Sequence, residues 1–505
     1  MSPAVVDGSG KKNTSARISK SKFVSGVQCL KRLYWQVHRP ELAAEPDAAR
    51  EAILEQGQEV GRLAHQLSPG GVEVSYGSGL DDAIRRSREL VANPDVPAIF
   101  EGTFEHGGVL VRVDILQRRR DGRWRLIEVK SATGLKDYYL DDLSIQSHVV
   151  SRCGLDLASV CLAHVNRDYV FDGGSIDARR FFRIKNLTRR IASLRPRLTL
   201  QLRSEFRVLA MPKAPDIPGG QHCSRPVTCE FFDRCNEPVP DDHILRLPRV
   251  HANTVAKLVA LGVQSIHSIP ESYPLAERLR RACSSVQMRK PWYSPEIGEE
   301  LSKLKYPLYF MDFETVNPAI PRFKGMRPYQ QIPFQWSVHV QRQPGAAPEH
   351  LEFLAGDGSD PRQAFISALC DALGDRGSIV AYHQQFESQR LSDLASWLPE
   401  FSGRITKIQR RLWDLLPIVR DHVYHPAFGG SFSLKSVLPA LVPSMTYDGM
   451  AVADGQAAGL AWESLVCGGL DRDEGDRTRK ALLDYCGQDT LAMIRLVELL
   501  QSEAI

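Results

Sequence analysis

Three residues in the first third of the chain, Asp114, Glu128 and Lys130, are of the types that hold a divalent cation and act on a phosphate. The segment GVLVRVDILQRRRDGRWRLIEVKSA alternates apolar and polar residues, turns at RDG and alternates again, which predicts a hairpin. Alternation sets Glu128 and Lys130 on one face of the return strand, and Asp114 on the neighbouring strand can reach the same side. Carboxylates so placed can hold a cation that activates water and neutralises charge growing at phosphorus. A lysine beside them can orient the nucleophile or share that charge. Glu-x-Lys is also common on exposed hairpins, so the bare triplet leaves ordinary surface charge as an equal alternative.

A second set lies near the other end. KYPLYFMDFET alternates, with Asp312 and Glu314 on one face and Tyr309, Met311 and Phe313 on the other. Two acids in an otherwise apolar strand cost desolvation unless they are paired or bind a metal. PFQWSVHV reads as the neighbouring strand, and SIVAYHQQFESQRL as a short buried strand running into a helix that starts near Glu387. In RKALLDYCGQDTLAMIRLVELL, Tyr485 and Asp489 stand four apart on one face of a long amphipathic helix.

The chain has ten cysteines. GGQHCSRPVTCEFFDRC holds Cys223, Cys229 and Cys235, with five residues between successive members. Three soft ligands this close point to metal binding, and a closed thiolate site needs a fourth, for which Cys29 in FVSGVQCLKRLYW is the candidate. A zinc site, with His222 replacing a cysteine, is the alternative, and buried free thiols the plainer one. Cys153, Cys161, Cys283, Cys370, Cys467 and Cys486 stand singly in apolar or helical contexts and are expected in the core.

The elements that must position these groups belong to a chain of 505 residues, too long for one ordinary core. Residues 1–18 are expected to form a disordered basic tail and 19–240 an α/β domain; 241–300 read as a helical connector and 301–505 as a second α/β domain. With 43% hydrophobic and 25% charged residues, the composition is that of a soluble globular protein. No apolar run approaches the ~20 residues that span a bilayer, and the polar, basic start lacks a secretory core, so a cytoplasmic location without membrane association is expected. The net charge of +4 is unevenly spread: residues 1–40 carry eight Lys/Arg against Asp7, and 179–213 carry eleven against Glu205. Such patches suit a polyanionic partner, although a solvated face is an equal reading.

Flanking residues extend the first set into a resemblance. The region resembles the PD-(D/E)XK nucleases, specifically the RecB-type and CRISPR-associated iron–sulfur exonucleases. EQGQEVGRLAHQL places His65 where that family carries a metal-binding histidine, and LDDLSIQSHVV places Gln146 where it carries a glutamine. EVKSATGLKDYY looks like the segment after the family's lysine, which makes Lys136 a phosphate contact. Val150 departs from the pattern, since relatives often have tyrosine there. The family also places one cysteine early and three late, which implies a structural [4Fe-4S] cluster on Cys29, Cys223, Cys229 and Cys235; its first two late cysteines are closer together than here.

The C-terminal set resembles the DEDD exonucleases of the RNase H-like, DnaQ-like family. That resemblance implies that Asp312, Glu314, Glu387 and Asp489 bind two divalent metals, with Tyr485 orienting the attacking water. Glu387 stands where the family usually has aspartate, and Asp414 in LWDLLP matches a position more often structural or substrate-facing than catalytic. LPRVHANTVAKLVALGVQSIHSI looks like a degenerate helix-hairpin-helix, or equally a plain linker bundle.

Together the resemblances imply an α/β protein with a PD-(D/E)XK restriction-endonuclease-like domain, a helical connector and an RNase H-like domain. The implied activity is that of a Mg²⁺- or Mn²⁺-dependent nuclease, exonucleolytic on single-stranded or end-containing DNA. The N-terminal centre would use His65, Asp114, Glu128 and Lys130 with Gln146 assisting, and the C-terminal centre would trim a 3′ end. The alternatives are a nucleic-acid-binding adaptor with one or both centres inactive, and an RNA-processing exonuclease. No Gly-x-x-x-x-Gly-Lys-Ser/Thr run is present, so a helicase or repair partner would supply unwinding.

Overall fold

Two units divide the chain between Pro238 and Val239. A computed structural model describes residues 17–503 apart from Asp47, Ser78 and Glu237. Both units are mixed α/β.

The first unit runs β1 (Ile18–Ser19), α1 (Lys20–Gln28), α2 (Leu30–His38), α3 (Ala48–Ala64), β2 (Val72–Glu73), α4 (Leu80–Ala92), β3 (Ala98–His106), β4 (Val109–Arg118), β5 (Trp124–Lys130), α5 (Tyr139–Arg152), β6 (Leu157–Val165), α6 (Ala178–Phe181), β7 (Phe182–Asn186), α7 (Thr188–Leu209) and α8 (Phe232–Cys235). Its described strands form one seven-stranded sheet in the order β2-β3-β4-β5-β6-β7, with β1 lying parallel to β4. The two alternating segments pair as the antiparallel strands β4 and β5, with Ile115 opposite Ile127. β6 runs parallel to β5, which requires a crossover, and α5 supplies it. Leu140, Leu143, Val149 and Val150 of α5 are buried with Trp124 and Leu126 of β5 and Leu162 of β6.

One rung of this sheet is irregular. The pairing of β3 with β4 passes from Phe100↔Ile115 to Gly102↔Val113 without Glu101 and Asp114, and Glu101 has left-handed backbone, φ 57°. Across that rung the core-facing residues change parity, from Ile99 and Leu116 to Phe104, Val113 and Val111. A left-handed non-glycine residue inside a strand costs energy and re-aims its neighbours, as bulges beside functional sites do.

Residues 1–16 of the expected disordered tail lie outside the described residues. The expected boundary at residue 18 is corrected: Ile18 is a fully buried strand residue, because its side chain completes the core beside Val109.

The second unit runs α9 (Ala252–Ala260), α10 (Glu277–Met288), β8 (Trp292–Tyr293), α11 (Ile297–Ser302), β9 (Leu308–Val316), β10 (Ile332–Gln341), β11 (Glu349–Leu354), α12 (Arg362–Ala372), β12 (Ile379–Ala381), α13 (Gln385–Trp397), α14 (Ser402–Gln409), β13 (Leu412–Asp414), α15 (Leu415–His422), β14 (Val423–Tyr424), α16 (Leu434–Leu441), α17 (Gly455–Val466) and α18 (Arg472–Glu503). Its main sheet has the order β11-β10-β9-β12-β13, antiparallel from β11 to β9 and parallel from β9 to β13. Alternation along β9 decides its packing. Tyr309, Met311 and Phe313 enter one core with α12, α13 and α14. Leu308 and Phe310 enter a second core, with α16 and α18.

Residues 241–300 contain helices, as the sequence suggests, but they are not a separate connector. Ile244, Leu258, Ile266, Ala282 and Ile297 share one core with Leu308, Phe310, Val419, Met493 and Val497, so the segment is a layer of the second unit. Among the described residues no helix is long and apolar enough to cross a membrane.

Candidate metal centres and a cysteine site

The period of β9 puts Asp312 and Glu314 on the face that α18 covers, in a row otherwise filled by Leu308, Phe310 and Val316. α18 brings Asp489 to them. One ligand atom each of Asp312, Glu314 and Asp489 lies within 4.8 Å of the others, and this is the one such group of three or more potential metal ligands among the described residues. Burial, and then repulsion from neighbouring acids, pushes the Asp312 and Glu314 carboxyls well above the usual range. Burial also raises Asp489 to about 6, although the Tyr447 hydroxyl and the Lys435 ammonium pull the other way.

Glu387 starts α13 just beyond the end of β12, which lies parallel to β9. It stays outside the three-residue group, yet Asp312 is the charged neighbour that acts on it most. Its side chain is 2% exposed, and Oε2 has no hydrogen-bond partner. An orphaned buried carboxylate oxygen beside three clustered acids is what a cation would satisfy. Tyr485 lines the same place, its phenol pushed up by burial and then by Asp489, Glu314 and Asp312. α17 approaches so closely that a Cβ on Gly455 would stand 3.2 Å from Glu314 Oε2.

Three residues here escaped the sequence reading. Tyr447 donates its hydroxyl proton to Asp489. Lys435 sits over the rings of Tyr447 and Tyr485, 5.6 and 5.1 Å from their centroids. Cys486, expected as plain core, is buried but turns Sγ to within 3.6 Å of Asp312 Oδ2, because it precedes Asp489 by three residues on α18. Asp414 is structural: Oδ1 accepts the His383 and Leu416 amides, capping α15.

In the first unit Asp114, Glu128, Lys130 and Gln146 come together. Asp114 Oδ2 accepts the Val129 amide at 2.6 Å. Lys130 Nζ lies 2.8 Å from Glu128 Oε1 and 2.7 Å from Asp142 Oδ2. Gln146, fully buried on α5, donates to Glu128 Oε2 at 2.6 Å. Burial raises Asp114 to about 7, helped by Glu128 and opposed by Lys20 and Lys130. Burial would raise Glu128 too, but the charges of Lys130 and Lys20 and the hydrogen bonds from Lys130 and Gln146 outweigh it and hold it down at about 2.

His65 does not join this group. It falls just past α3, and its ring stacks on Phe100 with centroids 4.0 Å apart and planes 3° apart. Burial lowers its pKa, and Glu73 is the charged neighbour that opposes this. Lys136 is exposed, 5.9 Å from the Tyr138 ring. Missed in sequence were Lys20, Asp142 and Glu101. Lys20 opens α1 and pairs with Glu128 at 3.0 Å. Glu101 pairs with Arg112 at 3.0 Å and falls on the Asp114 rung, its carboxyl raised mainly by burial. Only the basic character of residues 1–40 hinted at Lys20.

Cys29, Cys223, Cys229 and Cys235 line one small pocket with Arg32, Trp35, His222 and Phe231. Cys29 ends α1, and α1 and α2 are tied to the late loop by several bonds. Gln28 donates to the His222 and Val227 carbonyls at 2.6 and 2.8 Å. Arg32 pairs with Glu230 at 2.7 Å, both nearly buried. Trp35 meets Phe231 edge-on at 5.3 Å. Of the six cysteines expected in the core, Cys161, Cys283, Cys370 and Cys486 are buried and Cys153 is partly so. Cys467 is exposed, because it stands at the C-terminal cap of α17 rather than on its packed face.

Residues 309–433 match a family described as a domain of unknown function (DUF2779). The stretch takes in Asp312, Glu314 and Glu387 and stops short of Tyr485 and Asp489. The chain is 27% identical over 212 residues to the uncharacterized protein MG366 homolog of Mycoplasma pneumoniae, covering 38% of this chain and 32% of that protein. It is 23% identical over 215 residues to the uncharacterized protein UU173 of Ureaplasma parvum, covering 38% and 31%. The chain thus spans about a third of the length of the curated relatives it matches. A solved structure described as "Crystal structure of SSO0001" is 14% identical and covers 40% of this chain and 89% of its own, at a TM-score of 0.17, too low to bear on the fold.

Proposed function

We propose that this chain is a metal-dependent nuclease that hydrolyses DNA phosphodiesters from an end. The observation that carries the reading is the group formed by Asp312, Glu314 and Asp489, three acids gathered from β9 and α18 into a setting where burial disfavours their charge. Oxygen-only donors of this kind suit Mg²⁺ or Mn²⁺. Such a cation supplies activated water and neutralises charge on the phosphate. The chain's own part is to hold Asp489 through Tyr447 and to place the Tyr485 hydroxyl and the Lys435 ammonium beside the acids. On this reading the second unit is RNase H-like, of the DEDD type, and Glu387 supplies the remaining acid.

The first unit is read as a PD-(D/E)XK domain, supported by Asp114, Glu128 and Lys130 on adjacent strands with Gln146 above them. A [4Fe-4S] cluster fits the four cysteines, which share one pocket. Zinc would draw its thiolates to ~3.8 Å of one another, from Zn–S bonds of about 2.3 Å in a tetrahedron. No three of these sulfurs lie within 4.8 Å of one another, so a zinc ion would require them to close in.

The displacement of His65 and the full engagement of Glu128 favour a second reading for the first unit alone, a nucleic-acid-binding module whose centre is inactive. Both are tested by anaerobically purified protein with Mn²⁺ and single-stranded DNA labelled separately at each end. We expect degradation that Asp312→Ala abolishes from one end and Lys130→Ala from the other. Loss of all cleavage in Asp312→Ala with none in Lys130→Ala selects the inactive first centre. Binding without cleavage in the wild type, under either metal, overturns the nuclease reading.

A further inference from the structure

With its present partners in place, Glu128 has no acceptor position left for a cation. A carboxylate offers about four acceptor positions on its two oxygens, and four contacts occupy them. Lys20 Nζ reaches Oε1 at 3.0 Å and Oε2 at 3.2 Å. Lys130 Nζ takes Oε1 at 2.8 Å, and Gln146 takes Oε2 at 2.6 Å. Lys130 has a further partner in Asp142 at 2.7 Å, and Gln146 one in the Asp142 carbonyl at 3.2 Å. Lys20 ion-pairs with Glu128 alone among the described residues. It is also the member that can leave: it opens α1 and has no second partner among those residues, whereas Lys130 and Gln146 are each held by Asp142 as well and Gln146 is fully buried.

We propose that Lys20 is a gate on the first centre, competing with a divalent cation for Glu128 and turning to the substrate phosphate when the cation takes its place. This rests on reading the first unit as a cation-dependent nuclease centre. Charge makes the exchange feasible. Asp114, Glu128 and Asp142 face two ammonium groups, and a divalent ion that displaces one of them raises the positive charge at the acids while freeing an ammonium for the polyanion. The gate keeps adventitious cations out until a phosphate is present to receive Lys20. Metal affinity at this centre therefore rises with bound nucleic acid, and the reverse holds by linkage.

The test is Mn²⁺ binding, by calorimetry, to the full chain carrying Asp312→Asn and Asp489→Asn, so that the first centre alone reports. Adding Lys20→Met is expected to tighten Mn²⁺ binding about tenfold, within the usual range of coupling between linked sites, and Lys20→Arg to leave it near the parent value. Adding Glu128→Gln is expected to abolish it. Lys20→Gln serves as a second neutral variant should Lys20→Met melt below the parent. Unchanged or weaker binding in a folded neutral variant overturns the gate, since a purely structural lysine would give that result. Tighter binding with no cleavage of DNA by the wild type keeps Lys20 as a competitor of the cation at Glu128 but sinks the nuclease reading, and with it the turn of Lys20 to a substrate phosphate. No Mn²⁺ binding even in the neutral variants overturns both for this unit.

Discussion

A buried acid that keeps its proton near neutrality is waiting for a stronger positive partner, and the second centre holds several. Asp489 is raised to about 6, and Asp312 and Glu314 lie well above the carboxylate range. The linkage sign follows from burial: the protonated acids favour the folded state below their unfolded values, and that contribution is lost as pH rises through the folded ones. A cation reverses the balance by binding only the ionised acids and expelling their protons. Mn²⁺ affinity at this centre should therefore climb as pH rises through about 6, with proton release that varies between buffers of different ionisation enthalpy. Asp312→Asn should remove the binding. Affinity that stays flat from mildly acid to mildly alkaline solution would show that these acids are not the ligands.

Elements divide into those whose pattern announces them and those known only by their partners. β4, β5 and β9 were legible because a period of two needs no information from elsewhere, and Asp312 and Glu314 stood out as acids in an apolar row. The helix of Tyr485 and Asp489 was legible for the same reason at a period near four. α1 was not. It carries Lys20 to an acid 108 residues away and ends at Cys29, whose partners lie near residue 230; no local window contains either meeting. Tyr447 and Lys435 were invisible likewise, their relation to α18 being made by the folding of the segments around α16. The ties of α2 to the late loop are stabilising in a way that can be measured. Arg32 and Glu230 are both nearly buried, and the guanidinium pair outweighs burial to hold Glu230 low. Removing one partner leaves a buried charge, at a cost of about 3–5 kcal/mol. Arg32→Met should lower the melting temperature of the first transition sharply, and Glu230→Gln in the same chain should recover much of the loss. A double variant no better than Arg32→Met alone would place the stabilisation in packing of the arginine stem.

At the scale of the whole molecule, residues 241–300 decide where the chain can be cut. Short helices with one apolar face look alike whether they line a core or bridge two domains, since periodicity shows that a face is buried and not what buries it. The structure supplies the partner. Ile244, Leu258, Ile266 and Ile297 are fully buried against Leu308, Phe310, Met493 and Val497. Each such side chain contributes roughly 1.5–3 kcal/mol on burial, and a domain's whole stability is only about 5–15 kcal/mol. Four lost at once, about 6–12 kcal/mol, is comparable to that whole margin. A fragment of residues 239–505 should therefore melt cooperatively and stay monomeric, whereas 301–505, cut where the sequence alone draws the boundary, should expose the faces of β9 and α18 and aggregate. Calorimetry and light scattering on the two fragments read this directly. If 301–505 melted as cooperatively and as high as the longer fragment, the helices before β9 would be a true connector, and the core they share with α18 would contribute nothing to holding Asp489 against Asp312.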